Sequence, residues 1–447
     1  MSDDDSYKPS TGRFARLAKL ASLSAKLSTD VVARGVKRLA GTSEADAASM
    51  LGAGAAEKLV ATLGDLKGLA MKIGQSMAMD PDLLTPEIRS VVARLQNQAP
   101  PMPWETVREV IASQLGKPVE EAYASFEHTA LASASLGQVH QAVLHDGTKV
   151  AVKVQYPDIR KALEADLDNI GAMVSVVSVS TRISQGKAYY AEMREALMDE
   201  LDYRTEAQRL KIFEHAVHGL PELRIPKVYD ELTAEKVLTL ELLEGMTVKE
   251  FLQDIESRSA EEKFKAARLL ILAIWVPFLN EGVVHADPHP GNFMLLPDGR
   301  LGVFDFGAIK QLSDPWLKAN RRLIGSTFGE APYDPIRESE AAGMRFEDPV
   351  EAKPFVQTVL DIATRAAHSH DFDYKGTGIN RDMRNHFVKH ALMLRKISPP
   401  KEALQFFRGV AGMSQNLENI GARGDFYEVF KEVYEASKRL GRPLGVR

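Results

Sequence analysis

The sequence predicts an α+β chain in which two helical blocks flank a small sheet. Three observations carry that expectation. The first 118 residues read as mostly helical, two β-rich runs follow from residue 126, and beyond 227–245 the pattern is helical to the end except around 283–310. Helices, then a sheet, then helices is the order of an α+β fold and not of repeating βαβ units. No internal repeat or low-complexity tract interrupts it.

Taken in order, residues 13–40 have the period of an amphipathic helix or helix pair. Arg13, Arg16, Lys19, Lys26, Arg34, Lys37 and Arg38 fall mostly on one side, with Phe14, Leu17, Val32 and Leu39 opposite. Such a helix either packs on its own protein with a solvated basic face or lies on an anionic membrane. Residues 56–77 carry a stripe of Leu59, Leu63, Leu66, Ile73 and Met77. "DPDLLTPE" breaks it, and 86–97 and 104–115 read as two more helices before the turn at "GKP". In "FEHTALASASLGQVHQAVLHDGTKVAVKVQY" the pair Asp146-Gly147 is a strong hairpin signal between two β-rich runs. Helical periods return at 160–178 and 188–214, and "KVYDELTAEKVLTLELLEG" (227–245) reads as a second hairpin.

At 447 residues the chain has room for two or three domains, expected at 1–118, 119–243 and 244–447. A formal charge of −5 gives no basic field for nucleic acid. The absence of cysteine excludes disulfides, thiolate zinc sites and cysteine nucleophiles. The start "MSDDDSYKPS", with no basic residues at its head and no apolar run, is expected to be neither a signal nor a transit peptide. The longest apolar run, "LLILAIWVPFL" (269–279), contains a proline and falls short of the ~20 residues of a membrane span. The expectation is a cytoplasmic chain that is not secreted and at most lies peripherally on the inner membrane.

The chemistry concentrates in "VVHADPHPGNFMLLPDGRLGVFDFGA" (283–308). Asp287, Asn292 and Asp305 stand on two loops flanking a short hairpin whose turn is "PDGR". Phosphoryl transfer asks a protein chiefly to hold metal ions against phosphates, and hard magnesium takes oxygen ligands. With "VAVK" upstream, ending at Lys153, this is the H-x-D-x-x-x-x-N plus D-F-G grammar of a protein-kinase-like site. His285, Asp287 and His289 could instead ligate a transition metal, but Asn292, Asp305 and Lys153 would then have no role.

Lys153, on an apolar strand, needs a carboxylate partner if it is to stay charged in a cleft. The acid-dense helix "EALMDELDYRTEAQRL" (195–210) offers several. Glu200 and Asp202 point to different sides, whereas Asp202 and Glu206 share a face. A second polar spot, Lys72 with Gln75, sits among apolar and small neighbours in "MKIGQSM". No long activation segment and no A-P-E follow "DFGA", so a peptide platform is missing and a small or lipid substrate fits better.

These motifs together resemble the UbiB family of atypical kinase-like proteins associated with coenzyme Q biosynthesis. The family's K-x-G-Q stands as Lys72, Ile73, Gly74 and Gln75. Its alanine-rich loop stands as Ala132, Ser133, Ala134 and Ser135, and its E-x-D as Glu200, Leu201 and Asp202. The resemblance implies a bilobal kinase-like fold with a helical N-terminal extension packed over the active-site cleft. It implies ATP or ADP with Mg2+ as cofactors, with Asp305 and Asn292 on the metal and Asp287 in the catalytic-base position. It further implies that Lys153 pairs with Glu206 and the phosphates, that Lys72 and Gln75 meet Glu200 and Asp202, and that the backbone of Glu241 and Leu243 meets adenine. A loop of alanine and serine forbids some backbone conformations open to glycine, and the resemblance implies a preference for ADP and restrained kinase activity.

Three functions follow from this reading. The first is an atypical kinase or ATPase supporting isoprenoid-quinone biosynthesis, with lipid intermediates or pathway enzymes as partners. The second is a small-molecule kinase, which would leave K-x-G-Q and E-x-D without a role. The third is a nucleotide-gated, non-catalytic lipid-binding scaffold. A homodimer is compatible with all three.

Overall fold

The computed structural model describes residues 102–134, 136–161, 163–164, 167–168, 194, 198–199 and 201–441. Residues 13–40, 56–77 and 86–97, and with them Lys72 and Gln75, lie outside the described residues, as do Ser135 and Glu200. The described chain divides into two compact units. One comprises the residues up to Tyr203 with Tyr229–Thr239, the other Arg204–Val228 with the residues from Leu240 on.

The first unit begins with α1 (Trp104–Leu115) and α2 (Val119–Ala122), followed by β1 (Ser125–Phe126), β2 (Ala132–Ala134), β3 (Gly137–Val143) and β4 (Lys149–Gln155). β3 and β4 pair antiparallel from Gly137↔Gln155 to Val143↔Lys149, with Gly147 at φ 87° in the turn that Asp146-Gly147 announces. β1 and β2 both pair with β3, and the strand Val237–Glu241 continues the sheet beyond β4. Residues opposite one another in such a pair share a face. Val150, Val152 and Val154 therefore join Ala142 in the core, packed with Val107 and Ile111 of α1. The other face carries Ala151 opposite Gln141 and Lys153 opposite Val139.

Two expectations change here. The helix expected over 188–214 is broken at Leu201 and Asp202, and α3 (Tyr203–Ala216) starts afresh. Leu201 turns inward, 1% exposed, against Leu136, Leu163 and Leu167, and Tyr203 N donates to Glu235 O at 2.9 Å. Burying that one leucine redirects the backbone, so Asp202 precedes α3 and does not share a helix face with Glu206. The second change is at 227–245, where a 3₁₀ turn, Asp230–Leu232, interrupts the first limb, while Val228 still bridges antiparallel to Leu240 and Ala234 to Val237, so the hairpin pairing holds on either side of it. Leu232 is buried there, and its carbonyl accepts from Thr239 Oγ1 at 2.7 Å.

The second unit holds α3 from Arg204 on, β5 (Leu223–Arg224), the end of β6 (Val237–Glu241), β7 (Met246–Thr247) and α4 (Val248–Gln253). α5 (Ala260–Glu281) follows, started by a capping box between Ser259 and Glu262. It contains the run 269–279 and is buried almost all round, as an apolar helix at the centre of a domain is. Among the described residues no helix is long and apolar enough to cross a membrane. Next come β8 (Val283–His285), β9 (Phe293–Leu295), β10 (Leu301–Val303) and β11 (Ile309–Gln311). β9 and β10 form the hairpin turned by "PDGR", and β8 pairs with β11. The helices that follow include α6 (Asp314–Thr327), α7 (Pro335–Ala341), α8 (Pro349–Ala363), α9 (Ile379–Lys389), α10 (Ala391–Leu394), α11 (Lys401–Ile420) and α12 (Phe426–Leu440), with a single turn at Tyr374–Thr377 before α9. α5 packs against α11, α12 and β8, so the strand leading into Asp287 rests on the unit's most buried helix.

Candidate functional site

In the second unit the loops bearing Asp287, Asn292 and Asp305 are laced together by backbone bonds. β8 ends at His285, opposite Ile309 of β11, and Ala286 N donates to Ala308 O at 3.1 Å. After Asp287 the chain makes a 3₁₀ turn, Pro290–Asn292, whose Gly291 N is capped by His289 Nδ1 at 3.0 Å. Phe304 N then donates to Asn292 O at 3.3 Å, which brings the asparagine beside the residue preceding Asp305.

His285 joins the two loops directly. Its Nε2 donates to Asp305 O at 2.9 Å, and its Nδ1 accepts from Asp287 N at 3.3 Å. The ring is 0% exposed, and this burial holds its pKa below the ordinary value against the pull of Asp287 and Asp305. A neutral imidazole with one N–H suits one donated and one accepted bond. His289 is likewise held low, first by burial. Among the described residues no three His, Cys, Asp or Glu side chains come together to hold a metal ion, so the transition-metal reading of His285, Asp287 and His289 finds no support.

The donor set nonetheless suits a hard cation whose remaining ligands are phosphate oxygens. Asn292 Nδ2 donates to Asp287 O at 3.0 Å, which fixes the amide so that its oxygen is the group left to coordinate. Asp305 Oδ1 accepts from Gly307 N at 3.1 Å, which holds the carboxylate in place within its turn.

α3 fastens the same turn. Glu206, 8% exposed, accepts from Phe306 N at 3.4 Å, and Arg209 Nη1, three residues on along the helix, donates to Gly307 O at 2.7 Å. Phe306 itself is fully buried against Phe213, ring centroids 5.6 Å apart. From α11, Asn416 Nδ2 reaches Pro288 O at 2.6 Å. At the end of β6, Glu241 N donates to Lys227 O at 2.9 Å while its carboxylate pairs with Arg224, and Leu243 lies over Gly302 of β10.

In the first unit, Lys153 is 9% exposed on the face of the sheet that carries Val139 and Ala151. Ala132, Ser133 and Ala134 form β2 and pair with Val139, Gln138 and Gly137. The alanine-serine stretch is thus a strand with a ladder, and Gly137 is where the chain must come closest. A Cβ there would stand 2.0 Å from Val154 O, so no side chain fits.

His285, Arg209 and Asn416 were not singled out as positioning residues by sequence reasoning. His285 had a signal in its place two residues before Asp287, and Arg209 in its i+3 relation to Glu206. Asn416 had none.

The ABC1 atypical kinase-like domain matches residues 94–328. The zebrafish (Danio rerio) protein "Atypical kinase COQ8B, mitochondrial" is 27% identical over 442 residues, 96% of this chain and 69% of that one. The Saccharomyces cerevisiae "Atypical kinase COQ8, mitochondrial" is 26% identical over 444 residues, 95% of this chain and 85% of its own. For "Atypical kinase coq-8, mitochondrial" of Caenorhabditis elegans the figures are 27% over 388 residues and 85% of this chain, which spans only 51% of that relative's length. Among solved structures, the complex of Rv3197 with erythromycin from Mycobacterium tuberculosis superposes with a TM-score of 0.58 at 30% identity, covering 88% of this chain and 98% of that one. The chain belongs to the ABC1 atypical kinase-like family, the UbiB family its motifs resemble, and has that family's kinase-like α+β fold.

Proposed function

We propose that the chain is an atypical kinase-like ATPase that binds Mg-nucleotide and supports isoprenoid-quinone biosynthesis, acting on membrane lipid intermediates or on enzymes of that pathway. The observation that carries the nucleotide part is the lacing of the Asp287 and Asp305 loops through His285 and through the Phe304–Asn292 bond. Asn292 and Asp305 hold the metal, and Asp287 orients or accepts a proton from the attacking oxygen. Lys153 takes phosphate charge and pairs with Glu206. Ala132, Ser133, Ala134 and Ser135 border the phosphates, and the backbone of Glu241 and Leu243 meets adenine. Lys72, Gln75, Glu200 and Asp202 restrain access to the site. Bound magnesium supplies neutralisation of developing phosphate charge. The quinone part rests on family membership and on the COQ8 relatives. The domains 1–118, 119–243 and 244–447 are retained as functional divisions within this proposal.

A second reading, a nucleotide-gated scaffold without turnover, draws on β2. Backbone engaged in a ladder with β3 has fewer N–H groups to offer a phosphate than an open glycine loop has.

The test is phosphate release from Mg-ATP, without vesicles, for wild type and Asp305→Asn, with nucleotide binding measured by calorimetry. The ATPase reading expects turnover that falls roughly 100-fold in the variant, the scale of losing one electrostatic stabiliser. Binding with equal background rates in both proteins would overturn it in favour of the scaffold.

A further inference from the structure

The second unit contains a cavity of about 550 Å3 for which the nucleotide reading has no use. That size lies within the roughly 300–1,000 Å3 that small-molecule sites span. Its walls come from β7, α4, the first half of α5 and the β9–β10 hairpin. Met246, Phe251, Leu269, Leu295 and Leu296 make them largely apolar. β7 is drawn tightly against the hairpin here, since a Cβ on Gly245 would stand 2.5 Å from Leu295 O.

Two cations face this apolar lining. Arg258, between α4 and α5, presents a guanidinium whose own partners are weak. Its Cζ lies over the Phe251 ring at 5.1 Å, Nη2 donates to the Met246 thioether at 3.3 Å, and Nη1 stands 3.5 Å from Glu262. Its Nε is buried with no acceptor. A thioether is a poor acceptor, whereas the fork of a guanidinium matches a carboxylate. Lys265 is exposed, with its Nζ beside Gly299, and makes no ion pair among the described residues. The other charges close by are engaged. Arg300 is held by Asp298 at 2.6 Å, and Glu241, whose charge reaches Arg300, pairs with Arg224. Glu262 is the one acid lining the cavity, and its Oε2 accepts from Ser259 N and Oγ in the helix cap. Glu250 of α4 is turned to the Thr247 cap in the same way. Arg258 and Lys265 against Glu262 leave one positive charge unanswered.

We propose that this cavity binds a small monoanion with an apolar body, an aromatic carboxylate being the simplest of the class. The ring would lie among Met246, Phe251, Leu269, Leu295 and Leu296, and the carboxylate would take the donors of Arg258 and Lys265. One unanswered charge fits a carboxylate better than a phosphate monoester, which carries nearly two at neutral pH. Apolar walls around a charged hydrogen bond strengthen it relative to water. The walls belong to the hairpin that runs from Asn292 to Asp305, but neither residue lines the cavity, so the site does not rest on the nucleotide reading.

The test is calorimetric titration of the full chain, free of nucleotide, with 2-naphthoate and with its neutral counterpart 2-naphthamide. It compares wild type, Arg258→Gln, Lys265→Gln and Lys263→Gln, the last on the same helix but outside the cavity lining. Wild type should bind naphthoate saturably at one site. The amide, and naphthoate with Arg258→Gln, should bind about tenfold or more weakly, the scale of one charged hydrogen bond. Lys265→Gln should lose roughly threefold and Lys263→Gln nothing. Arg258→Gln also loses the Phe251 contact, so its thermal unfolding is followed; if it unfolds, the amide and Lys265→Gln carry the test. Asp305→Asn should bind naphthoate as wild type does and ADP should not displace it, which separates failure here from failure of the ATPase reading. The proposal is overturned by the absence of saturable binding, by an amide that binds as well as the acid, by Arg258→Gln and Lys265→Gln both binding like wild type, or by displacement with ADP.

Discussion

Replacing His285 by alanine should unfasten the two loops that carry Asp287 and Asp305. The ring is fully buried, lying beside Phe293 at 5.5 Å and Phe213 at 6.3 Å between centroids. Truncating a buried ring of this size costs about 3 kcal/mol through lost contacts and the cavity left behind. Asp305 O loses its donor and Asp287 N its acceptor, roughly 1 kcal/mol each if both stay dry. Water admitted to the new space recovers part of that, so the expected loss is about 4 kcal/mol, a large share of the ~5–15 kcal/mol that typically holds a domain together. His285→Asn, which keeps a polar group in reach of one loop, should lose about half as much. The assay is urea unfolding followed by tryptophan fluorescence, since Trp275 and Trp316 both lie in the same unit as His285. A loss for the alanine variant within ~0.5 kcal/mol of zero, the scale of a neutral surface change, would refute the reasoning that this histidine ties the loops.

Acid should weaken the fold earlier than the carboxylates alone would. Burial holds His285, His289 and His140 below their ordinary 6.5, so as pH falls through 6.5 the unfolded chain takes up protons that the folded one refuses. Stability is complete above 6.5 and declines below it, before Asp371, held under its ordinary 3.8 by Arg423, begins to matter. Urea midpoints across that range should show the decline, and His285→Asn should flatten it; an unchanged midpoint down to about pH 5 would contradict the assignment. Gly137→Ala should cost about 3 kcal/mol or more, because the added methyl overlaps the Val154 carbonyl and β3 must part from β4. Faster amide exchange across 137–155 is the expected sign, and unchanged protection there would speak against so close an approach.

Much of the candidate site was legible because its determinants are local. The spacing of Asp287, Asn292 and Asp305, the "PDGR" turn, and the alternation that puts Lys153 and Val150 on opposite faces all act within a few residues of chain. Helix 104–115 and the hairpin at Asp146-Gly147 appear where the pattern places them, since periodicity and turn chemistry need no distant partner. The run 269–279 was equally plain as apolar, but its place as the buried centre of α5 depends on α11 and α12 covering it.

What the tertiary structure alone decided are the choices that one buried group forces on its surroundings. Periodicity continues a helix through Leu201 and Asp202, yet the chain breaks there because Leu201 finds Leu136, Leu163 and Leu167. His285 in a sequence is a candidate ligand, acid or base. It becomes a tie between loops only when Asp305 O, twenty residues away, comes within reach of its Nε2 and water is excluded around both. Local sequence sets period, turn and residue chemistry. Which polar atom answers which is settled by burial among residues far apart in the chain, where an unanswered group is costly.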